Sequence, residues 1–357
     1  MVVLFGARRL TCALVLAASL TGGVGAMAAE AGRLQETGST LLYPLFNLWV
    51  QAYTKEHAGV QITTQSTGSG AGIAQALSGV VQLGASDAYL GNTELTNYPG
   101  MMNIAVAISS QMVNYNIPGL NSTHLKLSGP VLAGIYSGQI TNWNDAAITK
   151  LNPGVNLPPN AIVPVRRFDG SGDTFIFTQY LSDSTPSWAQ TQSYGTSISW
   201  PPVARILAAN GNPGMVNVIT HLPYSIAYIG ISFKSTIDQD NLGTALLSNQ
   251  AGNFVLPTVE TVKAAADAEV ARTPVDERIS LIFAPGDNSY PIINYEYVIV
   301  KEKQPSPDVA KEIKDFLYWA VQTDGGNAQS FMDKVSFVPL PASVRRLSEA
   351  QIAKISR

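Results

Sequence analysis

Short apolar runs alternate with stretches of helical periodicity almost from end to end of the chain, the pattern of an α/β protein. Leu42, Leu45, Phe46, Trp49, Val50 and Tyr53 recur at helical spacing and predict a helix behind the loop Thr37 to Thr40. Val60-Gln61-Ile62 alternates as a strand, Gly68 to Gly72 reads as a loop, and Ile73 to Leu77 begins a second helix. The run Val80 to Ala85 predicts a buried strand. Longer β-like regions lie at Asn103 to Ile117 and, far downstream, at Tyr295 to Val300; these two are expected to cross between domains. A helix is predicted over Glu260 to Arg272, and another after Ser306-Pro307-Asp308, with Ser as cap and Pro at the first helical position. A final helix is expected to open at Ser348, with Gln351 placed for a capping box.

The first residues bear on compartment. Arg8 and Arg9, the apolar stretch Leu10 to Leu20 and the small residues of Ala26-Met27-Ala28 make residues 1–28 read as a secretory signal peptide. That stretch is too short to span a bilayer. The single cysteine, Cys12, sits at the start of the apolar core, not after it as a lipoprotein requires, so the expected product is periplasmic or extracellular, without a lipid anchor. After cleavage no thiol remains for a disulfide or a metal. The remaining length suggests two domains. The expected division is a discontinuous α/β domain from 29–110 plus 292–357, with 111–291 inserted as a second α/β domain.

Charged residues are only 13% of the chain, and losing Arg8 and Arg9 takes the formal charge from −3 to −5. A net-acidic chain without basic runs argues against nucleic acid as partner. Any anion bound here must be held by local dipoles and a few cations.

Three loops place small or hydroxyl residues immediately before an amphipathic helix: Thr37 to Leu41, Gly68 to Gly72 and Asp169 to Thr174. A helix start carries free backbone N–H groups and a partial positive charge, so such a loop can cradle an oxyanion. One loop alone is often only a turn and a cap; three, one of them in the inserted segment, point to a shared cleft. Arg166-Arg167 precedes the third loop, and a guanidinium there binds an oxyanion through a bidentate fork. Asp87 follows the Val80 to Ala85 run and reads either as a cap or as an acceptor for a ligand oxygen that carries a proton. Hydrogen phosphate has such an oxygen; sulfate at neutral pH lacks one.

An enzyme is the main competing reading. Neither Ser69 nor Ser171 sits in a Gly-x-Ser-x-Gly elbow, because position 67 is Thr and position 169 is Asp. No Walker lysine follows the glycine loops, and His57, His124 and His221 form no metal-binding spacing. The expectation is therefore no enzyme, no metal and no cofactor.

The segments Glu36 to Trp49, Gln65 to Gly72, Gly84 to Leu90 and Arg166 to Leu181 closely resemble the PstS family, the phosphate-binding proteins of the high-affinity phosphate ABC transporter. The similarity extends through Ile135 to Gly138, Tyr228 to Gly230 and Pro291 to Tyr297. The resemblance implies a type II periplasmic-binding-protein fold: two α/β domains joined by two hinge strands, with the ligand in the cleft. It implies phosphate as ligand, the permease and ATPase subunits of an ABC importer as partners, and a monomer before docking. The ligand set it implies is Thr40, Leu41, Ser69, Asp87, Arg167, Ser171, Gly172 and Asp173, with Asp169 orienting the arginine. Asp173 stands where the best-known members have a threonine donor, although a subset of the family also has Gly-Ser-Gly-Asp-Thr. With Asp87 and Asp173 both facing the ligand, one proton cannot satisfy two acceptors. Either the doubly protonated ion is taken, one aspartate stays protonated, or Asp173 turns toward Arg167 or a backbone donor. Affinity is expected to rise on mild acidification toward the second phosphate pKa, about 6 for a monoester.

Overall fold

The computed structural model describes residues 32–357. The signal-peptide reading of residues 1–28 lies outside the described residues. The alternation of apolar runs and helical periods becomes twelve strands, β1 (Arg33–Gly38), β2 (Gln61–Ser66), β3 (Leu83–Ser86), β4 (Met101–Asn116), β5 (Lys126–Leu127), β6 (Val163–Arg167), β7 (Leu207–Ala209), β8 (Ser225–Gly230), β9 (Gly243–Thr244), β10 (Leu246–Ser248), β11 (Phe254–Val255) and β12 (Ile293–Lys301), interleaved with helices. The main sheet runs β2-β1-β3-β12-β4-β8-β6-β7, with β9 on β4.

β4 joins the two halves of this sheet. Met101 to Ser110 pair with β12, whereas Gln111 to Asn116 pair with β8, so one 16-residue strand serves both. Every residue of β4 but the last is buried, which matches its near-continuous apolar run. The partner switch falls at Gln111, whose N–H donates to Ile292 O at 3.0 Å and whose carbonyl accepts from Tyr290 Oη at 2.7 Å. Of the two long β-like regions expected to cross between domains, β4 spans the switch, whereas Tyr295 to Val300 pairs with β4 within the first half.

In the first half β1 lies parallel to β2 and β3; in the second, β6 lies parallel to β7 and β8. The loops at the carboxyl ends of parallel strands are where open α/β sheets bind ligands. Thr40, Asp87 and the Gly68 loop follow β1, β3 and β2; Asp169 and Ser171 follow β6.

Three sequence expectations shift. The second helix begins at Ser69, not Ile73, because Gly68 takes a φ of +91° as its cap residue and the glycines behind it enter the first turn. The buried strand is Leu83–Ser86; Val80 is 59% exposed, since residues 78–81 make a turn before the chain enters the sheet. The last helix runs Ala342–Lys354, so Ser348 lies inside it and caps nothing. Its hydroxyl instead donates to Ala105 O and Glu277 Oε1, a tertiary use that its local pattern does not reveal. The start at Ser306 holds: its Oγ accepts from the Val309 N–H.

Candidate anion site

The loops from both halves of the sheet meet at one point. The Gly70 N–H donates to Gly170 O at 2.8 Å, so the second and third loops touch backbone to backbone. A methyl group on Gly172 would sit 2.6 Å from Asp87 Cβ and closer still to Asp87 Oδ2 and Ser69 Oγ. Only hydrogen at this position lets the Gly172–Ser184 helix bring its N-terminus against β3 and the Ser69–Leu77 helix.

Arg167, 2% exposed, is held from several sides. Its Nε donates to Asp169 Oδ1 at 2.7 Å and its Nη2 pairs with Asp169 Oδ2, a bidentate fork. Its Nη1 reaches Asp173 Oδ2 at 2.8 Å and Thr40 Oγ1, across the sheet halves, at 3.2 Å. Burial opposes the charge, but the bond to Asp169 and the Asp173 and Asp169 charges raise its pKa above the ordinary arginine value. Burial likewise opposes ionisation of Asp169, yet the Arg167 bond holds it below the usual carboxylate range. Arg166 lies apart from this cluster: its Nη1 turns back to Arg167 O, and its guanidinium stands 6.0 Å over the Trp200 ring.

Three hydroxyls share one arrangement. Thr40 Oγ1 accepts from Arg167 Nη1, from the Asn212 N–H at 3.2 Å and from Asn212 Nδ2 at 2.9 Å. Ser69 Oγ accepts from the Asp87 N–H at 3.2 Å, and Ser171 Oγ from the Thr174 N–H at 3.1 Å. A hydroxyl whose oxygen is engaged as acceptor keeps its O–H for donation. The cluster thus presents donors, with Asp87 as the exception. Burial first, and the Asp173 charge next, push Asp87 up to about 7.

Among the residues singled out from sequence, Thr40, Ser69, Asp87, Arg167, Ser171 and Gly172 lie at this junction, with Asp169 behind Arg167. Two behave differently. The Leu41 N–H donates to Ser39 Oγ at 3.1 Å, while its side chain packs against Gly230. Asp173 turns toward Arg167, the third of the alternatives open from sequence, and its carboxylate is filled by Arg167, Asn212 Nδ2 at 2.7 Å and Gln111 Nε2 at 3.1 Å. Burial still raises its pKa, but those three partners work against that rise. With Asp173 so engaged, Asp87 is the carboxylate left among the donors of the three loops. The Ser171 N–H is also engaged, donating to Thr196 O at 2.8 Å.

Four contributors were not read from sequence. Ser39 bonds Asp87 Oδ1 through its hydroxyl and accepts the Leu42 N–H at 2.9 Å, in the turn that leads into the Tyr43–Glu56 helix. Asn212, near the start of the Gly211–His221 helix, links Thr40 to Asp173. Its amide is oriented by the Gly230 N–H, which donates to Asn212 Oδ1 at 2.9 Å. Gln111 brings the shared strand β4 to the site, and Glu296 does the same for β12. Ser39 was visible as part of the first loop; the other three carry no local motif. Among the described residues no cluster of side chains suits a metal ion, and no helix is long and apolar enough to cross a membrane.

A family model described as a PBP superfamily domain matches residues 25–324. The phosphate-binding protein PstS of Pasteurella multocida is 34% identical over 326 residues, covering 91% of either chain. That of Methanocaldococcus jannaschii is 35% identical over 332 residues, covering 88% of this chain and 84% of the relative. Among solved structures, a high-affinity periplasmic phosphate-binding protein, PfluDING, bound with phosphate at pH 8.5, superposes with a TM-score of 0.71 at 23% identity, over 89% of this chain and 93% of that one.

Proposed function

This chain belongs to the PBP superfamily and, within it, to the PstS phosphate-binding proteins, and from that premise we propose that it captures inorganic phosphate outside the cytoplasmic membrane and delivers it to an ABC-type importer. The observation that carries the proposal is the meeting of Thr40, Ser69 and Ser171, each with its oxygen engaged as acceptor, beside Arg167 and the lone acceptor Asp87. Several donors and one acceptor suit an oxyanion that bears a proton. The ligand set is Thr40, Ser69, Asp87, Arg167, Ser171 and the Gly172 N–H. Asp169 and Asp173 act through Arg167, and Leu41 supports the loop.

Arg167 is already balanced by two carboxylates, so the ligand's charge is met largely by hydrogen bonds and by the positive ends of the Tyr43–Glu56, Ser69–Leu77 and Gly172–Ser184 helices. Binding closes two lobes, 29–110 plus 292–357 and 111–291, about the strands near 108–113 and 290–296. A carboxylate in a desolvated site rejects an unprotonated dianion at a cost of several kcal/mol. Phosphate is therefore preferred over sulfate by orders of magnitude.

Partner, compartment and chemistry follow the same reading. The protein is a periplasmic or extracellular monomer that docks on permease subunits whose ATPase partners drive import. It is read as no enzyme: Ser171 Oγ caps its own helix, and His57, His124 and His221 are exposed and bonded to backbone carbonyls, not to a serine of the junction. Titration calorimetry with phosphate, repeated in equimolar sulfate, tests the reading. Tight phosphate binding indifferent to sulfate is expected; equal competition by sulfate refutes it. Turnover of a chromogenic phosphate ester that is lost in Ser171→Ala would overturn the non-enzymatic assignment.

A further inference from the structure

Behind Asp87 stands a second buried carboxyl. β12 runs antiparallel to β3 with Tyr297 opposite Ser86 and Val298 opposite Ala85, so the next position along the ladder sets Glu296 against Asp87. Glu296 is fully buried, and its carboxyl lies beside that of Asp87, close enough for each to shift the other's ionisation. Its other partners are neutral donors: Ser109 Oγ on β4 at 2.5 Å and Asn294 Nδ2 at 3.1 Å, the latter amide also reaching Asp87 O. One oxygen of each acid, Asp87 Oδ2 and Glu296 Oε2, is buried without a hydrogen-bond partner. β12 also carries a register shift against β4 between Glu296 and Tyr297, which marks the position as locally adapted.

We propose that Glu296 is a positioning residue of the anion site: it keeps a proton, donates it to Asp87, and thereby holds Asp87 as an ionised acceptor for the ligand's own proton. Two buried carboxyls side by side do not both carry charge at neutral pH. The groups facing the pair decide which one keeps the proton. Asp87 receives the Ser39 hydroxyl and feels the Arg167 charge, opposed by Asp173 on the Gly172–Ser184 helix. Glu296 meets only the neutral Ser109 and Asn294. Burial and the Asp87 charge accordingly raise Glu296 well above the usual carboxylate range. The consequence is selectivity: without the Glu296 donor, Asp87 binds a proton more readily, and a protonated Asp87 no longer rejects sulfate.

This inference rests on the phosphate-binding reading, and the experiment separates the two. Phosphate and sulfate affinities are measured by calorimetry for the full chain, Glu296→Gln and Glu296→Leu. If the unaltered chain binds no phosphate, the functional proposal fails. If it binds, Glu296→Leu is expected to weaken phosphate about ten- to a hundredfold, the worth of one hydrogen bond to a charged group, and to narrow the phosphate-to-sulfate ratio. Glu296→Gln, whose amide also donates, is expected to restore both. Equal losses for both anions in Glu296→Leu, or no rescue by Gln, overturn the proposal. Should Glu296→Leu not fold, the infrared difference between phosphate-bound and free protein decides. A protonated-carboxyl band that moves on binding and is missing in Glu296→Gln supports the assignment; a band unchanged by that substitution refutes it.

Discussion

Gly172→Ala adds one methyl group at the point where the loops of the two halves meet. That methyl would lie 2.6 Å from Asp87 Cβ, nearer still to Asp87 Oδ2 and Ser69 Oγ, and all three belong to the opposite side of the junction. Such contacts are well inside van der Waals separation, and overpacking of this kind costs about 1–3 kcal/mol. The cost falls on the closed arrangement alone, because Gly172 begins a helix where alanine is otherwise welcome. Phosphate Kd is therefore expected to rise roughly five- to hundredfold, while the melting temperature of the ligand-free protein stays level or rises slightly. Calorimetry gives the first quantity and thermal scanning without phosphate the second; small-angle scattering should show a variant that remains extended at phosphate concentrations that compact the parent. Unchanged affinity would refute the inference that this junction closes on the ligand. A matching loss of ligand-free stability would show that Gly172 is needed by the fold itself, not by closure.

Arg167→Met leaves the buried Asp173 and the half-buried Asp169 without their cation, which should remove about 3–5 kcal/mol of stability along with phosphate binding; urea unfolding measures it, and an unchanged midpoint would contradict the geometry. Asn212→Asp exchanges a donor for an acceptor facing both Thr40 and Asp173. Its phosphate affinity, measured by calorimetry from pH 8 down to pH 5, should be at least about tenfold weaker at the upper end and recover as the new acid protonates; a flat ratio to the parent would argue against that contact. Glu36 and Glu277 are both raised to about 8, by burial above all. Folded protein then holds protons that the unfolded chain releases near the ordinary glutamate value of 4.5, so the stability these groups contribute is fully present below that pH and lost as pH rises through about 8. Glu277→Gln should flatten the decline in melting temperature over that window, and an unaltered slope would show that Glu277 is ionised in the folded state.

The sequence by itself determined the α/β class, the three loops ahead of helices, the long apolar runs of β4 and β12, and most of the residues at the junction. These are short-range signals. Periodicity, glycine placement and hydroxyl caps act within a few residues, so the three loops, the Arg166-Arg167 pair and Asp87 stand out before any folding is considered, and the PstS resemblance implies Thr40, Ser69, Arg167 and Ser171 among them. Tertiary structure decided what those residues meet. Asp173 was equally consistent with facing a ligand or facing Arg167, and the choice was made by Asn212, 39 positions along the chain, and Gln111, 62 positions away. Ser348 looked like a helix cap and is a buried donor to Glu277, because helix capping is local whereas burial beside an acid depends on how the last helix lies on β4. Glu296 carried no motif at all. Its position against Asp87 comes from the register of two strands more than 200 residues apart in the chain, which side-chain periodicity leaves open and only the assembled sheet fixes.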